Sequence, residues 1–484
     1  MKKRIIYAIV AAMILSVLLL PMTSCSETRK LNRMNEQDRA SYFYELINQV
    51  ADSVESFTME QTMSMKMDIT SVTYEQVTES TLTVIDGKDG LTYLDESKTT
   101  IWTGGNRVVL REAQGYLDGM MFLYQKEDDR ESKLKSPIDS NGYMEFLGER
   151  NESSVEIEAG KGISETMTCV QNGDKTWTAT YENFTEEGMK PFLKMIDGVE
   201  HTVMAEHSLV DVRLTVKADE DFFISTMDIE YIFEKNPDAD SRVPEISVKT
   251  KYTGWNKTVL AEPYDISDFT EVEDIRVIDR FERALRARKT AEFGSFTMRT
   301  DSVVKQSNGS DQNTSTVQKV TYKNVDGFEF TLEYDSEGGR YEYSYKGGSC
   351  KVNVKDPSTG NILQSSEAPM GDSEAQMVVQ QFMDPEGIST VDIAGYTVLN
   401  EEKGSYRFAL GAAVLGDIEE EFIETYGTAM DKVTGYIDVT VQDGKLMSYV
   451  YHVYTEFKVG EVTVQSTVDM SLTFTDLVEG GAAM

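Results

Sequence analysis

The chain has few of the residues on which catalysis and metal binding most often depend. Three histidines and three cysteines occur in 484 residues. His201, His207 and His452 show no metal-ligand spacing such as H-E-x-x-H. Beyond Cys25 only Cys169 and Cys350 remain; two cysteines in so long a chain are no disulfide framework, and a single bridge between them stays open. A G-x-S-x-G elbow is missing, which argues against a Ser-His-Asp hydrolase. Phosphate-cradling glycine loops are missing too, because Gly104, Gly105, Gly347 and Gly348 stand between strand-like segments and not before helices. No cofactor, metal or enzymatic activity is expected.

Positive charge is also scarce, with 47 basic against 83 acidic side chains and a net charge of −36. Such an acidic chain repels phosphate backbones. It is expected to bind no nucleic acid and to carry no basic membrane patch. The acids do not assemble a calcium loop: Asp86 with Asp89, and Asp238 with Asp240, lack the remaining ligands and read as turn residues. Ser132 with Lys135 and Ser302 with Lys305 have the spacing of a Ser-Lys nucleophile pair without its companion motifs. Ser302 and Lys305 also fall on one expected strand, where residues three apart point to opposite faces. A carboxylate pair for glycoside hydrolysis is a matter of spatial separation, and nothing in the sequence selects one.

The N-terminus reads MKKRIIYAIVAAMILSVLLLPMTSC. Lys2, Lys3 and Arg4 form a charged n-region, Ile5 to Leu20 an apolar run, and Pro21 breaks any helix before the small residues that precede Cys25. The word MTSC resembles the bacterial lipobox, which implies a signal peptide over 1–24 and a lipid-bearing Cys25 as first mature residue. The competing reading is an uncleaved anchor, since the run is nearly long enough to span a bilayer; a cysteine directly after the run is something only the lipobox requires. Cleavage leaves 44 basic and 83 acidic side chains, a charge of −39. A bacterial cell makes the sequons at Asn151, Asn183, Asn256, Asn308 and Asn313 incidental.

What the chain does have is repetition. ESFTM at 55–59 returns as GSFTM at 294–298. From Phe57, the residues Met59, Met63, Met65, Met67 and Ile69 occupy alternate positions with polar residues between them, only Gln61 interrupting the apolar series, which is the period of a half-buried strand. Upstream, Phe43, Leu46, Ile47, Val50 and Val54 recur at helical spacing. Val277, Phe281, Leu285 and Arg288 precede the second copy in the same way. Glycine-marked hairpins, a short helix, two strands, a further helix and closing strands then follow in both halves. Seven elements in one order read as a tandem duplication with a boundary near 265–276.

Alternation with one polar face implies antiparallel strands, and two or three helices per half would cover the apolar face. The expected fold class is α+β: two tandem domains, each a strongly curved antiparallel β-sheet wrapping helices on its concave side. The expected segments are a linker over 25–35, a first domain over 36–270, a second over 271–478 and a tail over 479–484.

This element order resembles the superfamily of the lipoprotein-localisation factors LolA and LolB and the carriers LppX and LprG. The resemblance implies an open half-barrel closed by helices around an apolar cavity. On it rests the expectation of an extracytoplasmic, lipid-anchored protein that binds a hydrophobic or amphiphilic ligand such as lipid without catalysis. Phe57, Met59, Met63, Met65 and Met67 would line the cavity with Phe43, Leu46, Ile47 and Val50, because thioethers adapt to irregular apolar shapes. The same side chains would equally serve as ordinary core. The chain would then be a structural or protein-interaction module of the envelope with filled interiors and an envelope protein as partner.

Overall fold

The computed structural model describes residues 24–476 other than 52, 70–71, 88–89, 128–129, 152–156, 197–206, 236–241, 261–263, 290, 292, 325–326, 337–338 and 384–391. The n-region, the apolar run and the 479–484 tail lie outside the described residues, as do His201, Asp89, Asp238 and Asp240. Among the described residues, no helix is long and apolar enough to cross a membrane. Contacts divide the chain into two compact units, Met1–Asp128 with Lys135–Glu273 and Asp129–Leu134 with Asp274–Met484.

The first half begins with α1 (Ser24–Leu31), inside the stretch read as a linker, and α2 (Glu36–Ala51). Six strands follow: β1 (Ser56–Ile69), β2 (Val72–Gly87), β3 (Gly90–Thr103), β4 (Asn106–Leu117), β5 (Met120–Glu127) and β6 (Arg130–Pro137). Next come α3 (Ser140–Asn151), β7 (Ser164–Gln171), β8 (Trp177–Phe184) and α4 (Glu186–Met195). The half closes with β9 (His207–Ala218), β10 (Ile224–Lys235), β11 (Glu245–Thr253) and the two-residue β12 (Thr270–Glu271). These strands make one sheet in the order β12-β6-β5-β4-β3-β2-β1-β11-β10-β9-β8-β7.

The second half opens with α5 (Arg276–Lys289). It continues through β13 (Phe293–Gln306), β14 (Gln312–Asn324), β15 (Phe328–Ser336), β16 (Gly339–Lys346), β17 (Ser349–Lys355) and β18 (Ile362–Pro369). After α6 (Asp372–Met383) come β19 (Ile393–Asn400), β20 (Ser405–Leu410) and α7 (Ala412–Tyr426). The last strands are β21 (Met430–Gln442), β22 (Lys445–Val459) and β23 (Val462–Asp476). The sheet order is β18-β17-β16-β15-β14-β13-β23-β22-β21-β20-β19. Apart from β12, this is the first sheet's order repeated: in each, the first strand is flanked by the second and by the last, antiparallel to both.

Local chemistry accounts for the turns. Gly104 and Gly105 join β3 to β4 with φ of +57° and +93°, and Gly347 and Gly348 join β16 to β17 with +59° and +83°. Two consecutive positive φ values are what the tight hairpin turn requires, and glycine reaches them without steric cost.

The expected α+β half-barrel wrapped around helices does not form. The molecule is mostly β, with open sheets of 12 and 11 strands, and the helices lie against separate stretches of sheet without being enclosed. Helix α2 meets β7 and β8 at one end of its sheet, α5 meets β21 and β22, and α6 meets β15. The reason is size. Twelve strands about 4.8 Å apart extend roughly 50 Å, while a helix is only about 10 Å across. A few helices of 10 to 16 residues cannot line such a surface.

Candidate functional site

Side chains two apart on a strand share a face, so Phe57, Met59, Met63, Met65 and Met67 point to one side of β1. Antiparallel register extends that face strand by strand. Met63 opposes Val248 on β11, Val248 opposes Ile229 on β10, and Ile229 opposes Leu214 on β9. Leu214 in turn opposes Tyr181 on β8, and Tyr181 opposes Met167 on β7. Six strands thus present an unbroken apolar row.

Helix α2 covers this row at its β7 and β8 end. Phe43 sits 6.3 Å from the Trp177 ring and 6.4 Å from that of Phe222, centroid to centroid, and Tyr44 meets Tyr181 edge-on at 5.7 Å. Polar anchors fix the helix: the Tyr181 hydroxyl donates to the Ala40 carbonyl at 2.8 Å, and Arg39 donates to the Cys169 carbonyl at 3.1 Å. Cys169 is fully buried, and burial pushes its thiol pKa up to about 12. Cys169 and Cys350 are both free.

The nine side chains proposed to line a cavity fall into two groups. Phe43, Leu46, Ile47, Met65 and Met67 are buried in one core, against which Val50 and Met63 pack half-buried. Phe57 goes elsewhere, stacking on Trp255 at 5.5 Å beside Tyr252. Met59 is half-buried between Leu82 and Tyr252 in the register. The sequence reading placed a strand around Trp177, Ala179 and Tyr181 without assigning these side chains to the site, and did not single out Phe222; all four are buried in this core. Trp177, Ala179 and Tyr181 alternate with threonines in WTATY, the period that marks them as inward residues of β8.

The corresponding face of the second sheet is also built strand by strand, and its Thr300 stands where Gln61 stands in the first copy. Thr300 opposes Met470 on β23, Met470 opposes Tyr451, Tyr451 opposes Ile437, and Ile437 opposes Phe408. Polar Thr300 therefore begins a row that is otherwise apolar. Arg288 of α5 is buried against it; its guanidinium donates to the Leu446 carbonyl at 2.7 Å and lies 4.4 Å over the Phe474 ring. Burial lowers the Arg288 pKa from its ordinary value.

Within each unit, the described residues bring no catalytic constellation together. His207 is buried on β9 in one unit, while His452 on β22 in the other stacks on Tyr436 and lies beside Asp469. Among the described residues, no group of three or more His, Cys, Asp or Glu could hold a metal ion. Ser132 and Lys135 lie on β6, and Ser302 and Lys305 on β13, so each pair points to opposite faces.

No family model and no curated protein matches the chain in sequence. Solved structures similar to it include a DUF1329 family protein from Desulfovibrio piger, at 11% identity over 43% of this chain and 95% of that one, with a TM-score of 0.14. A DUF3598 family protein of unknown function from Nostoc punctiforme shares 9% identity over 90% and 99% of the two chains, with a TM-score of 0.11. The translocator domain of the autotransporter NalP from Neisseria meningitidis shares 7% over 93% and 96%, with a TM-score of 0.12. Likenesses of this size define neither fold nor function for this chain.

Proposed function

We propose that the protein is a non-catalytic interaction module of the cell envelope, held at the membrane by lipid on Cys25, whose sheets present outer faces and edges to an envelope protein. The observation that carries this reading is the state of the methionine face. Met65 and Met67 are 1% and 2% exposed and belong to one core with Phe43, Leu46 and Ile47, so the groups a greasy ligand would touch already touch one another. The edge strand β18 adds support. It is exposed along its length, and Ile362 and Leu363 are 56% and 62% exposed. An edge strand offers unpaired main-chain N–H and C=O groups to a partner strand. The envelope location rests on the charged n-region, the apolar run and the cysteine that follows them.

Lipid extraction and mass spectrometry of the chain purified from its own membranes test this. The expected result is acyl chains on Cys25 and no other amphiphile at one per chain. A stoichiometric, non-covalently held lipid would favour the carrier reading instead. Cys25→Ser should move the chain out of the membrane pellet, and retention there would contradict the anchor. Chemical cross-linking in cells should trap a recurrent envelope protein, and the Ile362→Lys/Leu363→Lys variant should lose it.

A further inference from the structure

No slack chain separates Cys25 from the folded body. Glu27, two residues on, accepts a hydrogen bond from the Tyr42 hydroxyl of α2 at 2.8 Å. The Lys30 ammonium lies 3.7 Å over the same ring, and Leu31 is fully buried in the core that holds Phe43 and Trp177. Arg39 of α2 closes the end of α1, donating to the Leu31 and Met34 carbonyls at 3.0 Å each. Asn32 reaches β7, its side-chain amide donating to Gln171 at 3.3 Å. The stretch read from the sequence as a linker over 25–35 is therefore a helix and turn packed on α2 and on the β7 edge of the first sheet.

Length decides what this packing means for an anchored chain. Two extended residues span at most about 7 Å, so Glu27 lies within that distance of Cys25. The polar headgroup layer is roughly 5–8 Å deep on each side of the hydrocarbon. With acyl chains on Cys25 embedded in the hydrocarbon, the tether is about as short as the layer it crosses, and no gap of bulk water separates α1 from the headgroups. Charge fits that neighbour. Over residues 25–33, Arg29, Lys30 and Arg33 stand against the single acid Glu27, in a mature chain of 83 acids and 44 bases. Arg29 and Arg33 are exposed, and Arg29 is two residues, about 200° of helix, from buried Leu31, so it faces away from the core. Cationic side chains beside an acyl anchor are a second membrane signal, because they meet headgroup phosphates.

We infer that α1 and the turn after it form a membrane-contact surface. The first unit lies against the headgroup layer at its β7 edge, with Arg29, Lys30 and Arg33 at the lipid phosphates, and does not swing on a flexible stalk. The inference rests on the lipid-bearing Cys25 of the proposed function and is separate from the partner offered to β18.

The acylated chain carrying Asn32→Cys is purified from membranes, labelled at that position with a fluorophore, and reconstituted into phosphatidylcholine vesicles that contain a headgroup spin-labelled lipid. Cys169 and Cys350 are buried and do not compete for the label. Mass spectrometry establishes the acyl chains on Cys25 in the same sample. The expected result is strong collisional quenching of the dye. Inserting about 16 Gly and Ser residues between Ser26 and Glu27, a coil of about 20 Å, should remove most of the quenching while leaving the thermal midpoint unchanged. On that longer tether only charge returns α1 to the bilayer. With phosphatidylglycerol and phosphatidylcholine at one to three, part of the quenching should come back at low salt, and Arg29→Gln with Arg33→Gln should abolish the recovery. An acylated chain whose dye is not quenched, or is quenched equally with the insertion, would overturn the inference and leave the anchor standing. A chain without acyl groups would overturn both. Absence of recovery with phosphatidylglycerol would remove the cations from the contact.

Discussion

Cys169 lies fully buried on β7, beneath α2, with its thiol pKa pushed to about 12 by burial. Only the thiolate is nucleophilic, so iodoacetamide at pH 8 should leave Cys169 unmodified in the native chain and alkylate it rapidly in denaturant. Equal rates by mass spectrometry would contradict the packing of α2. Truncating Met65 or Met67 to alanine should each cost about 2–5 kcal/mol in urea titrations, the range for buried methionine, with Met63→Ala costing less because Met63 is half-buried. At this scale the sequence was partly legible. Period two marked the methionines and helical spacing marked Phe43, Leu46 and Ile47, since each signal lies within one element.

The strands that the sequence conceals are those without a buried face. β14 begins QNTSTV with six exposed residues, and β18 is exposed throughout, so neither shows the alternation that revealed β1. Backbone pairing to β13 and to β17 holds them in place. The half-barrel expectation came from one-faced alternation and from the resemblance in element order, and neither registers how wide sheets of 12 and 11 strands become. The hairpin between β17 and β18 carries its own pH dependence. The Asp356 carboxylate accepts hydrogen bonds from the Ser358 hydroxyl and from the Ser358 and Thr359 amides, which lower its pKa to about 2. A depressed carboxylate pKa contributes stability above the unfolded-state value near 3.8, and that contribution is lost as pH falls toward 2. Amide protection over residues 356–361 should therefore decline between pH 4 and pH 2 before the rest of the sheet loosens. Ser358→Ala should raise the Asp356 pKa toward the ordinary carboxylate range, read by carbon NMR; an unchanged value would remove the assigned cause.

At the scale of the whole chain, two sheets share one connectivity because two halves share one order of elements. Agreement of many weak local signals in a fixed sequence is what made the repeat readable, although no single match was strong. Helix placement was not readable, because it depends on the width that the assembled sheets attain. The account's central claim is that each half closes on itself, its last strand pairing with its own first. Thr62 opposes Lys249 between β1 and β11, and Thr297 opposes Thr473 between β13 and β23. The most direct measurement is oxidative cross-linking of cysteine pairs placed at 62 with 249 and at 297 with 473, in full chains carrying one pair each. Both pairs should link within the same chain, while pairs shifted by one residue, 62 with 248 and 297 with 472, should not, because a one-residue slip turns the side chains to opposite faces. Linkage of the shifted pairs, or of 62 with 473, would contradict the account.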